Sequence, residues 1–279
     1  MAATTIVVPC YNESKRFPVA TFNEFITRHP EIHWLFINDG STDDTLAVLT
    51  TLQQKHPQHA AVFNLSRNCG KAEAVRQGVV AASRGTPQYI GFWDADLSTP
   101  LEAIPEFCRV LDRREDINLV VGSRIPLLGR KIDRHPTRQL IGRCFARVVS
   151  SLFRLSIRDT QCGAKLFRQA PATRVAFRKP FLSRWIFDVE ILVRMSRFYR
   201  NTQSVKNTVY EFPLDQWREV AGSKLTSWDF VRALRELIQI YSIYVLGFRP
   251  RPRVAAGSET AVISQLAQPG PDPSLRRAA

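Results

Sequence analysis

Short apolar runs alternate with stretches of helical periodicity through the first 125 residues, and this alternation restricts the fold more than any other feature. A continuous apolar run bounded by turns predicts a buried strand, and repeated strand-then-helix units predict a mostly parallel sheet with helices on both faces. We therefore expect an α/β fold. Strands are predicted at residues 4–8, 33–38, 61–65, 89–93 and 119–123, and helices at 17–28, 41–55, 71–82 and 101–113. The segment from Ser41 to Asp44 has the form of a capping box and is expected to open the second of these helices.

Candidate ligand-binding residues follow four of these predicted strands, at the sheet edge where α/β proteins bind ligands. No GxGxxG motif follows the first strand and the chain lacks a GxxxxGK[ST] motif, which excludes dinucleotide oxidoreductases and P-loop nucleotide hydrolases. The candidates are Pro9, Tyr11 and Glu13 after the first strand, Asp39 after the second, Asp94 and Asp96 after the fourth, and Arg124 after the fifth.

The pair Asp94 and Asp96 is the strongest single signal in the sequence. Hard carboxylate oxygens at a sheet edge suit Mg²⁺ or Mn²⁺, which bind one or two carboxylates together with substrate phosphates. The alternative is a pair of loop carboxylates that cap the next helix. Asp39 also has two interpretations, as a turn residue or as a hydrogen-bond acceptor for a nucleotide. Lys71 begins a predicted helix, where a phosphate can bind.

The net charge of +14 is concentrated in the second half of the chain. Residues 1–125 contain 12 Lys and Arg against 14 Asp and Glu, whereas residues 126–279 contain 27 against 11. Such an imbalance indicates a polyanionic partner, which could be nucleic acid, an anionic membrane surface or a phosphorylated substrate. A basic surface with no partner is the plainer alternative.

Two segments of the second half have the apolar pattern of amphipathic helices. Residues 138–155 carry apolar pairs four apart, and residues 227–248 end in a nearly uncharged run, so each could lie at a membrane interface or pack on the sheet. No run reaches the roughly 20 apolar residues of a membrane span, and no signal peptide is visible. Residues 249–279, rich in Pro, Gly and Ala, are expected to form a disordered tail.

Five segments form a recognisable set: 7–13 (VVPCYNE), 38–45 (NDGSTDDT), 67–78 (RNCGKAEAVRQG), 94–98 (DADLS) and 122–124 (GSR). Together these segments resemble family-two inverting glycosyltransferases of GT-A fold. The resemblance covers residues 4–248 and implies one GT-A domain, with a nucleotide-sugar half at about 1–125 and an acceptor or membrane-facing half at about 126–248. Three more are similar to the dolichyl-phosphate β-glucosyltransferase branch and its bacterial polyprenyl-phosphate relatives: 158–167 (RDTQCGAKLF), 184–192 (RWIFDVEIL) and 222–225 (GSKL).

The resemblance also implies roles for individual residues, with Asp94, Asp96 and Arg124 as the catalytic set. No chemistry is assigned to Gln161, Cys162 or the segment from Trp185 to Glu190, for which packing is an equal interpretation. The implied roles are the nucleoside for Pro9, Tyr11 and Glu13, the base or ribose for Asp39, the donor for Lys71, the metal and donor diphosphate for Asp94 and Asp96, the acceptor phosphate for Arg124 and Arg138, and closure over the diphosphate for Lys224.

The implied activity is metal-dependent transfer of a hexose, glucose from UDP-glucose, onto dolichyl or undecaprenyl phosphate. Because the sequence shows neither an N-terminal anchor nor a spanning helix, and its five scattered cysteines are typical of reduced thiols, we expect a cytoplasmic protein bound peripherally to an anionic membrane. GDP-mannose as donor, a soluble sugar as acceptor and an inactive membrane adaptor are the alternatives left open. Nucleic acid is not expected as a partner, because carboxylate clusters at the sheet edge would repel it.

Overall fold

The computed structural model describes residues 3–133, 135–155, 157–199, 202–219 and 227–248, which form an α/β fold around a seven-stranded sheet. In chain order the strands are β1 Thr4–Cys10, β2 Ile32–Asp39, β3 Ala60–Leu65, β4 Tyr89–Trp93, β5 Leu119–Ser123, β6 Lys131–Asp133, β7 Ala164–Arg168, β8 Val209–Pro213 and β9 Gln216–Arg218. β6 pairs with β9, and the other strands form the large sheet in the order β3-β2-β1-β4-β7-β5-β8.

The large sheet is mostly parallel, as the sequence predicts. β1, β2, β3 and β4 run in one direction, and β5 and β8 pair parallel to each other. β7 lies between β4 and β5 and runs antiparallel to both, with Trp93 opposite Ala164. The start of β7 is therefore at the edge where β4 ends, and the residues before Ala164 meet the residues after Trp93.

Helices cover both faces of this sheet. Phe22 of the first helix and Phe107 of the fourth belong to one buried apolar cluster, and Val75 of the third helix and Leu237 of the ninth belong to the other. Because both faces are covered, the central strands are apolar at nearly every position. The helices are α1 Val19–Arg28, α2 Thr45–Lys55, α3 Lys71–Ala82, α4 Ala103–Arg113, α5 Pro136–Phe153, α6 Pro171–Arg178, α7 Phe187–Phe198, α8 Thr202–Thr208 and α9 Ser227–Tyr244.

The predicted elements agree with the observed ones to within a few residues at their ends, and α3, β4 and β5 coincide with their predictions. The expectation that a capping box at Ser41 opens the second helix is wrong. α2 begins at Thr45, and Ser41 Oγ instead accepts a hydrogen bond from Asn12 N at 3.0 Å. Asp43 Oδ1 accepts the Thr45 N–H. The turn after β2 thus holds the turn after β1, which orders this sheet edge.

The apolar stripe of residues 138–155 divides between core and surface. Val149 and Phe153 of α5 are buried in the core, whereas Leu140 and Ile141 are 62% and 52% exposed. One side of this helix therefore packs in the core, as one of the two alternatives predicts, and a membrane interface for its exposed side stays a prediction. Within the described ranges no helix is long and apolar enough to cross a bilayer. The predicted tail, residues 249–279, lies outside the described residues.

We predict that Gly91→Ala in β4 lowers the free energy of unfolding by about 1–3 kcal/mol, the usual cost of overpacking a filled core. A Cβ on Gly91 would lie 2.6 Å from the Lys165 carbonyl oxygen and 2.9 Å from Leu166 Cδ1. Gly85→Ala is the matched control, since a Cβ there meets no atom of the described residues within 4 Å. Urea unfolding measures both variants, and equal midpoints would contradict the prediction.

Candidate functional site

A cavity of about 280 Å³ opens where β1, β2 and β4 end. The structure therefore brings together the residues that follow three parallel strands, as the topology requires. Arg124 follows β5, Arg138 lies on α5 with a side chain outside the described part of the chain, and Lys224 falls in the undescribed segment 220–226. The residues singled out by the sequence that line the cavity are Pro9, Tyr11, Glu13, Asp39, Lys71, Asp94 and Asp96.

Asp94 is held between the first turn of α3 and the residue that precedes β7. Its Oδ1 lies 2.5 Å from Lys71 Nζ, and its N–H donates to the Gly163 carbonyl oxygen at 3.1 Å. A Cβ on Gly163 would lie 1.9 Å from Asp94 Oδ2. Only glycine therefore leaves space for the Asp94 carboxylate at this position, and Gly163 is a site residue that the sequence analysis missed.

Asp96 closes the turn that follows β4. Its Oδ1 accepts hydrogen bonds from both Ser98 N and Ser98 Oγ at 2.9 Å. Directly after Asp96, Leu97 adopts a left-handed conformation with φ of 52° and donates its N–H to the Asp94 carbonyl oxygen. A positive φ is unfavourable for a leucine, so the surrounding contacts hold this turn in a strained shape that faces both aspartates towards one region.

A second ion pair lies beneath Asp94. Lys165 is fully buried, and its Nζ donates to Asp188 Oδ1 at 2.5 Å and to the Cys162 carbonyl oxygen at 2.6 Å. Burial raises the pKa of Asp188, although Lys165 and Lys71 act in the opposite direction. Partial burial lowers the pKa of Lys71, but Asp94 and Asp188 outweigh it and raise that pKa above its usual value. Cys162 and Asp188, which had no assigned role, thus hold Lys165, and the charge of Asp188 also acts on Lys71.

Asp39 orders the beginning of α3. Its Oδ1 accepts the Cys69 N–H at 2.7 Å, and its Oδ2 accepts the Gly70 N–H at 2.8 Å. Burial raises the pKa of Asp39, and these two hydrogen bonds oppose that shift. Gly70 has a φ of 90°, a conformation that favours glycine, and it directly precedes Lys71. Asp39 therefore faces the cavity and also fixes where Lys71 begins its helix; its contact with a base or ribose stays a prediction.

Glu13 is already paired at the opposite wall of the cavity. Its carboxylate receives both Arg16 Nε and Arg16 Nη2, the latter 2.6 Å from Oε1. Tyr11 is 42% exposed on the same wall. Arg16 was not predicted as a site residue, although its position three residues after Glu13 is visible in the sequence. The roles of Glu13 and Tyr11 at a nucleoside stay predictions.

Arg124 forms a buried ion pair that the sequence did not reveal. Its Nε and Nη2 donate to the two carboxylate oxygens of Asp159, each at 2.7 Å, and its guanidinium lies 5.3 Å from the Trp217 ring centroid. The side chain is only 11% exposed. Asp159 lies in a segment that carried the resemblance, which was the available signal. The contact of Arg124 with an acceptor phosphate stays a prediction, and its established partner is Asp159.

We predict that Lys165→Met lowers the free energy of unfolding by about 3–5 kcal/mol, because it leaves the Asp188 carboxylate buried without its cation. Lys165 is 0% exposed and Asp188 6% exposed, so water replaces little of the lost interaction. The double variant Lys165→Met with Asp188→Leu removes both charges and should recover most of the loss. Guanidinium unfolding of the three proteins measures the effect, and a single variant as stable as the parent would refute it.

The fold is similar to that of solved glycosyltransferases. The chain superimposes on glucosyl-3-phosphoglycerate synthase from Mycobacterium tuberculosis, crystallised with Mn²⁺, UDP and glucosyl-3-phosphoglycerate, with a TM-score of 0.62 and 16% identity, over 89% of this chain and 81% of that one. At this level of identity the likeness concerns the fold, and it confirms the predicted GT-A architecture.

Closer relatives are found by sequence. The chain is 36% identical over 249 residues to a dolichyl-phosphate beta-glucosyltransferase of Trichomonas vaginalis, covering 85% of this chain and 70% of that protein. It is 32% identical over 259 residues to the dolichyl-phosphate beta-glucosyltransferase of Homo sapiens, covering 87% and 76%. The family model described as Glycosyl transferase family 2 matches residues 5–178, which contain the whole cavity lining. The chain belongs to glycosyl transferase family 2.

Proposed function

We propose that this glycosyltransferase moves glucose from UDP-glucose onto a polyprenyl phosphate. The observation that carries the proposal is the cavity in which Lys71, Asp94 and Asp96 meet. It occurs in a chain that is similar over most of its length to enzymes named dolichyl-phosphate beta-glucosyltransferase. A cation and two carboxylates beside one cavity suit a reaction whose donor carries a diphosphate and whose acceptor carries a phosphate.

A divalent cation fits the residues at this cavity. Mg²⁺ and Mn²⁺ are held by one or two carboxylates, with phosphate oxygens and water in the other positions, and Asp94 and Asp96 supply such a pair. The described residues contain no group of three or more His, Cys, Asp or Glu that could bind a metal, so the ion would be shared with the donor diphosphate. Gly163 supports the fit, because it leaves space for the Asp94 carboxylate. When bound, the ion would neutralise charge on the departing nucleoside diphosphate.

The chain's own groups act on the donor and on the acceptor. Lys71 stays protonated at neutral pH because its pKa is raised, and it begins α3, whose unpaired N–H groups favour phosphate oxygens. The acceptor phosphate has a second pKa of about 6 and is already an anionic nucleophile, so no strong general base is needed. The enzyme then has to align a phosphate oxygen in line with the anomeric carbon. In-line attack converts an α-linked donor into a β-linked lipid phosphate sugar.

We expect the purified protein to transfer labelled glucose from UDP-glucose into a solvent-extractable lipid, given undecaprenyl or dolichyl phosphate and Mn²⁺ or Mg²⁺. Asp96→Asn should lower kcat/KM at least about a hundredfold, because it removes an anionic ligand at the donor diphosphate. Asp116→Asn is the matched control, since Asp116 pairs with Arg114 on the surface and precedes β5, at the opposite edge of the sheet.

Parallel reactions with GDP-mannose and with soluble sugars test the alternatives. Lipid labelled from GDP-mannose alone would contradict the proposed donor, and label found only on a soluble sugar would contradict the proposed acceptor. Full activity in the presence of a chelator, or in Asp96→Asn, would contradict the metal assignment.

We also propose that α5 and α9 form a surface that docks on an anionic membrane. The helices meet where Phe153 packs edge-on against Tyr241, with ring centroids 6.0 Å apart. Exposed arginines accompany the apolar side chains on α5, a combination typical of helices at a lipid interface. The exposed apolar side chains are Leu140 and Ile141 of α5 and Leu234 and Ile238 of α9, and the exposed arginines are Arg143 and Arg147.

We expect the protein to sediment with vesicles that contain phosphatidylglycerol, and much less with pure phosphatidylcholine. Ile141→Glu should weaken this binding about tenfold, because it replaces an apolar contact with a charge, and added salt should weaken it further. Val175→Glu on α6 is the control, since Val175 is also exposed but lies on another helix. Equal binding by the Ile141 and Val175 variants, or equal binding to both vesicle types, would overturn the docking proposal.

A further inference from the structure

The loop that precedes α7 is fixed by two carboxylates from two different helices. Glu190 of α7 accepts the Leu182 and Ser183 N–H groups at 2.8 and 3.1 Å. Glu236 of α9 accepts the N–H groups of the next two residues, Arg184 and Trp185, each at 3.1 Å. Every one of these four consecutive backbone N–H groups thus meets a carboxylate, which gives the loop a defined backbone although two of its side chains are exposed.

This loop places the Arg184 side chain on the rim of the cavity. A Cβ on Gly70 would lie 3.0 Å from Arg184 Nη2 and 3.1 Å from Arg184 Nε, so the guanidinium lies directly over that glycine. Gly70 lines the cavity and immediately precedes Lys71. The charge of Arg184 also acts on Asp39, whose carboxylate lies below the same turn. Arg184 is therefore adjacent to the donor cavity although it is more than 110 residues away in sequence.

The guanidinium of Arg184 does not stabilise the described part of the structure through a polar contact. Among the described residues it forms no hydrogen bond and no ion pair, because the nearby carboxylates are already engaged. Asp39 accepts two backbone N–H groups, and Asp94 is paired with Lys71. A planar guanidinium with free donors, held beside a second cation and the start of a helix, matches the geometry of a phosphate group.

We propose that Arg184 binds a phosphate group of the substrate at the cavity rim, and that Glu236 positions it there. This inference rests on the proposed function and extends it to a residue outside the predicted site. The phosphate belongs either to the donor diphosphate or to the lipid acceptor. The donor diphosphate is suggested by the position of Arg184 at the donor cavity. The lipid acceptor is suggested because Glu236 lies on α9, the helix that also carries the exposed Leu234 and Ile238.

Two measurements on Arg184→Gln separate these sources. Calorimetry with UDP and Mn²⁺ reports the donor side, and the KM for polyprenyl phosphate at saturating UDP-glucose reports the acceptor side. Loss of a charge-assisted hydrogen bond should weaken one of these constants about ten- to hundredfold. Arg184→Lys should restore part of the loss, because lysine keeps the positive charge but lacks the planar pair of N–H donors of a guanidinium. Arg84→Gln is the control, since Arg84 is exposed between α3 and β4 at the opposite sheet edge.

A weakened UDP dissociation constant assigns Arg184 to the diphosphate, and a raised KM for the lipid with unchanged UDP binding assigns it to the acceptor phosphate. If both constants match those of Arg84→Gln, the proposal is overturned. If the wild-type protein transfers no glucose to the lipid, the proposed function is wrong, and the role of Arg184 is then decided by calorimetry alone. In that case, an unchanged UDP affinity in Arg184→Gln overturns the proposal for Arg184.

Glu236→Gln tests the positioning role, because the amide has a single acceptor oxygen and cannot accept both the Arg184 and the Trp185 N–H groups. We expect the same constant to weaken as in Arg184→Gln, by about three- to tenfold, and the double variant to be no worse than Arg184→Gln alone. Independent, multiplicative losses would refute the positioning role. Thermal unfolding of each variant separates these effects from a general loss of structure.

Discussion

Backbone pairing between β4 and β7 determines the centre of the site. Because β7 enters antiparallel, with Ala164 opposite Trp93, the Gly163 carbonyl oxygen accepts the Asp94 N–H and the glycine leaves room for the carboxylate. The same register places Lys165 under the site, where its ammonium group meets Asp188. One strand alignment thus decides both where the negative charge of the cavity lies and which buried cation supports it.

The carboxylates at the cavity each have a hydrogen-bond or ion-pair partner in the protein. Asp39 accepts two backbone N–H groups, Glu13 is paired with Arg16, and Asp94 with Lys71. An unpaired charge in a partly buried position would cost several kcal/mol of solvation, so these partners are a condition for keeping so many charges together. They also orient the carboxylates before a ligand arrives, which lowers the reorganisation needed during a reaction that moves charge.

The second half of the chain contributes strands and a loop to the same sheet and cavity as the first half. β7 lies in the middle of the large sheet, between two strands of the first half. The loop before α7 reaches Gly70 and is tied to α9 through Glu236. Of the two helices in the proposed docking surface, α9 is therefore connected by hydrogen bonds to the rim of the donor cavity, an arrangement suited to bringing a lipid-borne phosphate to a water-soluble donor.

The sequence by itself determined the α/β class, the order of the strands and helices in the first 125 residues, and the cluster that includes Asp39, Lys71 and Asp94, because strand–helix alternation and polar residues at strand ends are local patterns. The prediction that Ser41 caps the second helix was wrong, because Ser41 instead contacts the turn after β1. The supporting pairs were beyond the sequence, since Arg124 and Asp159 are 35 residues apart and Lys165 and Asp188 are 23 apart. Only the tertiary structure decided these partners, because the antiparallel insertion of β7 and the approach of α7 and α9 depend on how distant segments bury their apolar faces together.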